Sequence, residues 1–157
     1  MSKRFLVTTA IEETIPQNKP ILFLGEWCRP FENINKLDKF DAKVLPYHWD
    51  DRSKLHKDYS YLSEFYEKLL IELTNQLNQI HGTDHKTKYW RILIGPWLGY
   101  FTQIVFDRWS SIQSAIKNFD LLGTYVQSFR EGLLIPNNMR HFLGLIKDEE
   151  WNHFIYS

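Results

Sequence analysis

The sequence predicts an α/β protein with a mostly parallel sheet flanked by long helices. Three observations carry that reading. Short β-rich apolar runs open the chain and are followed by long helical segments. The second run, ILFLG at 21–25, is continuously apolar instead of alternating, as in a strand covered on both faces. Further on, Leu55, Tyr59, Leu62, Tyr66, Leu69, Leu73, Leu77 and Ile80 recur at spacings of three and four, one unbroken stripe on a long helix.

The elements follow in order. Phe5–Thr9 reads as the first strand, and Ile11–Lys19, polar and holding Pro16, as a connection. Pro20 opens the second strand, which Gly25 ends. A short polar segment, Glu32–Asp41, precedes a third strand at Ala42–Tyr47. Asp50 or Asp51 is placed to cap the long helix, and Gly82 to end it. Tyr89–Ile94, YWRILI, reads as a fourth strand, with Pro96 in the first turn of a helix, where its missing N–H leaves no bond unmade. From Trp97 to Phe119 the apolar positions 98, 101, 105, 109, 112, 116 and 119 form a stripe. Trp97, Ile104 and Phe106 lie off it, so the first half of that helix is expected to be buried nearly all round. Leu121–Gln127 is a short strand or a helix start, Glu131–Asn138 a loop and Met139–Ile146 a helix. The closing WNHFIYS is aromatic and aliphatic, a segment with a buried character.

A chain of 157 residues suits one domain, taken as 1–157. Nineteen basic and nineteen acidic side chains cancel, and the basic ones are scattered, so no nucleic-acid footprint appears. An aromatic content of 16%, with six Trp, excludes a disordered chain. The single Cys28 excludes an internal disulfide and any multi-thiolate metal site, and suits a reducing compartment. MSKRFLVTTAIEE has a basic start but is broken by Thr8 and Thr9 and lacks a cleavage site, so it reads as a strand and not as a leader. No run approaches the ~18 apolar residues of a membrane span.

In open parallel sheets, ligands bind beyond the carboxyl ends of the strands. The expected rim therefore holds Thr8-Thr9, Gly25-Glu26-Trp27, His48-Trp49-Asp50-Asp51-Arg52 and Gly95-Pro96-Trp97. Within VLPYHWDDR at 44–52, His48 or Asp50 suits a general base, and Trp49 a flat face for a sugar or base ring. The structural alternative makes Asp50 or Asp51 a helix cap, Arg52 a partner of a nearby carboxylate and His48 a hydrogen-bonded loop residue. Glu26 and Trp27 suit a hydroxyl-rich ligand, or equally a solvated loop. Gly95-x-x-x-Gly99 matches neither nucleotide fingerprint; a tight turn and close helix packing are its alternative. His81 and His85 are separated by Gly82 and Thr83, which argues against a helical metal face, and no metal site is expected.

Taken together, LVTTAIEET, ILFLGEWC, VLPYHWDDR and YWRILIGPWLGYFTQIVFDRW resemble the opening of a family of transferases encoded in bacterial surface-polysaccharide and O-antigen clusters. The resemblance runs in order from Phe5 to the end. It implies a glycosyltransferase-like enzyme built from two Rossmann-type halves, of which this chain resembles the N-terminal, acceptor-side half. Family members are several times longer, so the expectation is an N-terminal domain or truncated copy. The nucleotide-sugar donor would then be held by a missing C-terminal domain or a split partner chain. No cofactor is expected on this chain alone. The acceptor would be a glycan or lipid-linked glycan, at a cytoplasmic site or peripheral to the inner membrane surface. The positions that match the family's segments are Glu26, Trp27, His48, Trp49, Asp50, Asp51, Arg52, Arg91, Gly95 and Trp97. Of these His48, Asp50 and Glu26 are the candidate bases, and Arg52 or Arg91 would steady a phosphate or the acceptor. The competing expectation is a non-catalytic carbohydrate- or partner-binding module.

Overall fold

The computed structural model describes residues 3–29, 41–128, 132 and 134–157. Most of the polar segment Glu32–Asp41 and part of the loop Glu131–Asn138 lie outside the described residues. The chain divides into two compact units, one made of Met1–Tyr47 with Arg108–Ser157, the other of His48–Asp107.

The first unit is built on a four-stranded sheet. Its strands are β1 (Arg4–Val7), β2 (Ile21–Phe23), β3 (Ala42–Val44) and β4 (Leu121–Thr124), in the spatial order β3-β2-β1-β4. Every pairing is parallel, with Phe5 opposite Ile21, Ile21 opposite Ala42 and Leu6 opposite Thr124. β1 and β2 are buried along their whole length, which explains why ILFLG does not alternate. Leu6, Val7, Ile21, Leu22, Phe23, Leu24, Cys28 and Leu45 make the core with Ala115. At the amino edge the buried Arg4 guanidinium ties three strands together. It donates to the Ile21 carbonyl (3.1 Å), the Asp41 carbonyl (2.8 Å) and Asp41 Oδ1 (2.7 Å). Leu121–Gln127, open between strand and helix on sequence, is a strand over Leu121–Thr124.

The second unit contains α1 (Arg52–His81) and the part of α2 (Thr87–Asn118) that ends at Asp107. α1 starts where Asp51 Oδ1 accepts from the Ser53 and Lys54 N–H groups, at 2.9 and 3.2 Å, so Asp51 and not Asp50 is the cap. It ends at Gly82, whose φ of 62° is the left-handed conformation a side chain resists. Asn78 stitches the turn that follows. Its Oδ1 accepts from Thr83 Oγ1, the His85 N–H and Trp90 Nε1, each at 3.0 Å, and its Nδ2 donates to the His85 carbonyl at 2.8 Å.

Several expectations are corrected here. Tyr89–Ile94 is helical, inside α2, and Pro96 lies in the interior of that helix. Trp90, Gly95, Leu98 and Thr102 are buried at helical spacing, while Ile92 and Leu93 are exposed; rich β-type composition had outweighed that period. The apolar stripe read along α2 holds only in part: Leu98 is buried and Ile112 and Phe119 pack against the core, but other members face solvent. Trp109 and Ile116 are 56% and 57% exposed, whereas Thr102, Ser110, Ser111 and Ala115 are buried. Thr102 Oγ1 bonds back to the Leu98 carbonyl at 2.9 Å, so its hydroxyl is satisfied inside the helix and tolerates burial. The first half is therefore not buried all round: Tyr100 and Val105 face solvent. The last two helices, α3 (Met139–Leu145) and α4 (Glu149–Tyr156), belong to the first unit. Asn138 and Asp148 cap them, and the WNHFIYS segment buries Trp151 and His153.

Candidate functional site

In the first unit, the carboxyl ends of β1, β2 and β4 lead to Thr8-Thr9, to a 3-10 turn at Glu26–Cys28 and to Tyr125–Gln127. Glu26 and Trp27 stand on this edge. The Glu26 carboxylate is exposed and pairs with Arg29 at 3.1 Å. Trp27 Nε1 donates to the Thr8 carbonyl (3.3 Å) and its ring meets Tyr47 edge-on. Cys28 is fully buried, and that burial pushes its thiol up to about 12, which removes it as a nucleophile near neutral pH.

α4 reaches the same edge. His153 Nδ1 lies 3.1 Å from Thr9 Oγ1, and the Gln127 N–H donates to His153 Nε2 at 3.2 Å. That second bond makes Nε2 an acceptor, so the ring is neutral with its proton on Nδ1. Burial lowers the His153 pKa, in agreement. Glu149 Oε2 accepts from the Ala10 N–H at 2.9 Å. Sequence reasoning missed these two residues; the buried character of the closing segment was the available signal.

In the second unit His48 precedes α1 and its ring turns to α2, where Nε2 lies 3.0 Å from Asp107 Oδ1. Both side chains are buried, at 3% and 8% exposure, so water screens their attraction little. Asp107 was not singled out from sequence, although a lone acid within IVFDRW, on an apolar helix, is a signal. Trp49 packs against His48 (centroids 4.8 Å apart) and stacks with Phe106 (6.5 Å). Trp49 Nε1 donates to Asp58 Oδ2 at 2.9 Å, and Lys54 Nζ bonds the same oxygen. Burial raises the Asp58 pKa, but hydrogen bonds from Lys54 and Trp49 outweigh it and hold the carboxyl below its ordinary value. The carboxylate thereby fixes the indole. Asp50 is exposed, Asp51 caps α1 and Arg52 opens that helix at the surface.

The remaining sequence candidates lie on α2. Arg91 clasps Glu67 with two bonds of 2.6 Å and lies over the Tyr66 ring. The bond from Arg91 holds the Glu67 carboxyl below its usual range, and the pair raises Arg91. Gly95 lets Tyr66 come close: a Cβ there would sit 2.6 Å from the Tyr66 hydroxyl. Trp97 stacks on Phe101 at 5.0 Å. Because Gly95-Pro96-Trp97 follows no strand, the expected rim loses its fourth loop. Beside Tyr66 lies a groove of about 450 Å³, with Trp49, Tyr59, Glu67 and Tyr100 in its walls.

Among the described residues no cluster of His, Cys, Asp and Glu is arranged to hold a metal ion, and no helix is long and apolar enough to cross a membrane. No curated protein and no solved structure matches this chain. One family model does, that of the LIC12162 family transferase, over residues 4–157. With the match running through the parallel sheet and the helical unit alike, the chain belongs to the LIC12162 family of transferases.

Proposed function

We propose that the protein serves sugar transfer in the assembly of cell-surface polysaccharide, O-antigen included. The donor is a nucleotide-sugar, the acceptor is a hydroxyl of a glycan or lipid-linked glycan, and this chain supplies the acceptor side. Family membership supports transfer as the reaction class. The strand order β3-β2-β1-β4, all parallel, is that of the first four strands of a doubly wound nucleotide-binding sheet, which supports a Rossmann-like half. Fold alone does not carry function.

The observation that carries the proposal is the bond between His48 and Asp107. With Nε2–H donated to the carboxylate, Nδ1 is the nitrogen that takes a proton. In the proposed step the acceptor O–H proton passes to Nδ1 while the oxygen attacks the anomeric carbon. The bond from that carbon to phosphate breaks, and the nucleoside diphosphate leaves with its electron pair. Asp107 stabilises the imidazolium that forms. His48 lies under cover, so acceptor binding must open access to it. Asp50 and Glu26 are the alternative bases, both exposed. Of the two arginines, Arg52 is the better phosphate partner, because Arg91 is already held by Glu67.

The test is made in the cells that carry the protein. Replacing His48 by Gln, or Asp107 by Asn, at the chromosomal locus should abolish or shorten surface polysaccharide at unchanged protein level. Normal polysaccharide in both would remove the proposal. A second reading, a non-catalytic carbohydrate-binding module, draws on the aromatic groove of the second unit. It predicts saturable glycan binding together with normal polysaccharide in the His48→Gln strain.

A further inference from the structure

We propose that the groove of the second unit binds a neutral pyranose ring through Tyr59, Tyr66, Tyr100 and Glu67, and excludes the anionic nucleotide. Its volume of about 450 Å³ falls within the ~300–1,000 Å³ of small-molecule sites. Tyr59 and Tyr100 line it while 66% and 52% exposed, so apolar ring surface is offered to a ligand instead of being packed away. Tyr66 can line it because Gly95 carries no Cβ, which would sit 2.6 Å from the tyrosine hydroxyl.

Charge decides the ligand class. Among the described residues lining the groove, Glu67 is the one that carries a charge. The Arg91 guanidinium spans both Glu67 oxygens at 2.6 Å. Among the described lining residues a phosphate meets a carboxylate and no cation, so a nucleotide is disfavoured. A cationic ligand gains little, because Arg91 already balances the carboxylate. What remains is a neutral ring with apolar faces and hydroxyl edges. Its faces suit the tyrosines, and its hydroxyls suit the remaining lone pairs of Glu67 and the amide of Gln103. The neighbouring hydroxyls of Ser63 and Thr102 are already donated to backbone carbonyls at 2.8 and 2.9 Å, which leaves the carboxylate, the amide and the tyrosine hydroxyls to set specificity. That this sugar is the transfer acceptor rests on the reading above; that the groove takes a neutral sugar does not.

The experiment is a titration of the 157-residue chain, followed by amide NMR shifts. The probes are methyl glycosides of glucose, galactose and mannose, N-acetylglucosamine, uridine diphosphate and choline. At least one neutral glycoside should shift Tyr59, Tyr66 and Gln103 saturably, and Tyr100→Ala should weaken that binding about tenfold. Glu67→Gln should release Arg91 and let uridine diphosphate shift the same amides. The inference is overturned if no glycoside shifts them. Glycoside binding indifferent to Tyr100→Ala, or choline or uridine diphosphate binding in preference to every glycoside, overturns it equally. Glycoside binding combined with normal polysaccharide in both the His48→Gln and the Asp107→Asn strains would leave the groove standing and remove the transfer reading.

Discussion

Replacing Asp107 separates what its carboxylate does for folding from what it does for chemistry. Asp107→Asn keeps the side-chain shape, and the amide oxygen can still accept the His48 Nε2–H at the present 3.0 Å. What is lost is the charge. A hydrogen bond to a charged group contributes about 1.5–3 kcal/mol and a neutral one about 1, so the stability loss should be roughly 0.5–2 kcal/mol. Asp107→Ala instead strips the acceptor from a buried imidazole and leaves a void. An unmatched buried donor costs about 1–3 kcal/mol. With the missing side-chain contacts added, the expected loss is about 2–4 kcal/mol. Burial matters to this estimate, because at 3% and 8% exposure solvent does not dilute either effect. Transfer should respond in the other proportion. The Asn variant cannot stabilise an imidazolium, so its rate should fall about 10²–10⁴-fold despite the small stability change. Urea unfolding gives the first quantity, and sugar transfer in extracts of cells carrying each variant gives the second. An Asn variant as destabilised as the Ala variant would show that the pair is purely structural, and one with wild-type transfer would refute the catalytic role.

Other consequences are independent of that pair. His153 has its folded pKa lowered from 6.5, so the unfolded chain takes up the proton first as pH drops. Its contribution to stability is therefore complete above pH 6.5 and is lost as pH falls toward the folded value. Urea midpoints should decline over that window, and His153→Gln should flatten the decline. Asn78→Ala removes four hydrogen bonds at the turn between α1 and α2; at about 1 kcal/mol each, reduced by solvent access, the loss should be about 2–3 kcal/mol by urea unfolding. Cys28, buried with its thiol raised to about 12, should resist a thiol reagent in the native chain at pH 8 and react fully in urea; fast native labelling would contradict its placement.

Much of the first unit, and the helix α1 of the second, was legible because the physics there is local. A continuous apolar run such as ILFLG has no exposed face to encode, and Asp51 and Gly82 bracket α1 with the chemistry that helix ends require. Tyr89–Ile94 misled because aromatic and β-branched residues favour strands on average, while the helical burial of Trp90, Gly95, Leu98 and Thr102 emerges only over a longer window. The α2 stripe misled because its buried side is built from Thr102, Ser110, Ser111 and Ala115, which a count of large apolar residues passes over. The site was half legible. His48 and Trp49 stand out in VLPYHWDDR, but their partners Asp107 and Asp58 lie 59 and 9 residues away. The longer pairing depends on how α1 and α2 lie, and no spacing rule encodes it. Glu67 and Tyr66 were hidden in the same way, as ordinary residues of a long amphipathic helix.

The sharpest check on the proposed chemistry is the rate at which labelled sugar passes from a nucleotide-sugar to endogenous acceptor in extracts of cells whose own copy carries His48→Gln. That rate should lie at least a hundredfold below wild type with the protein present at its normal level. Transfer at the wild-type rate would contradict that chemistry.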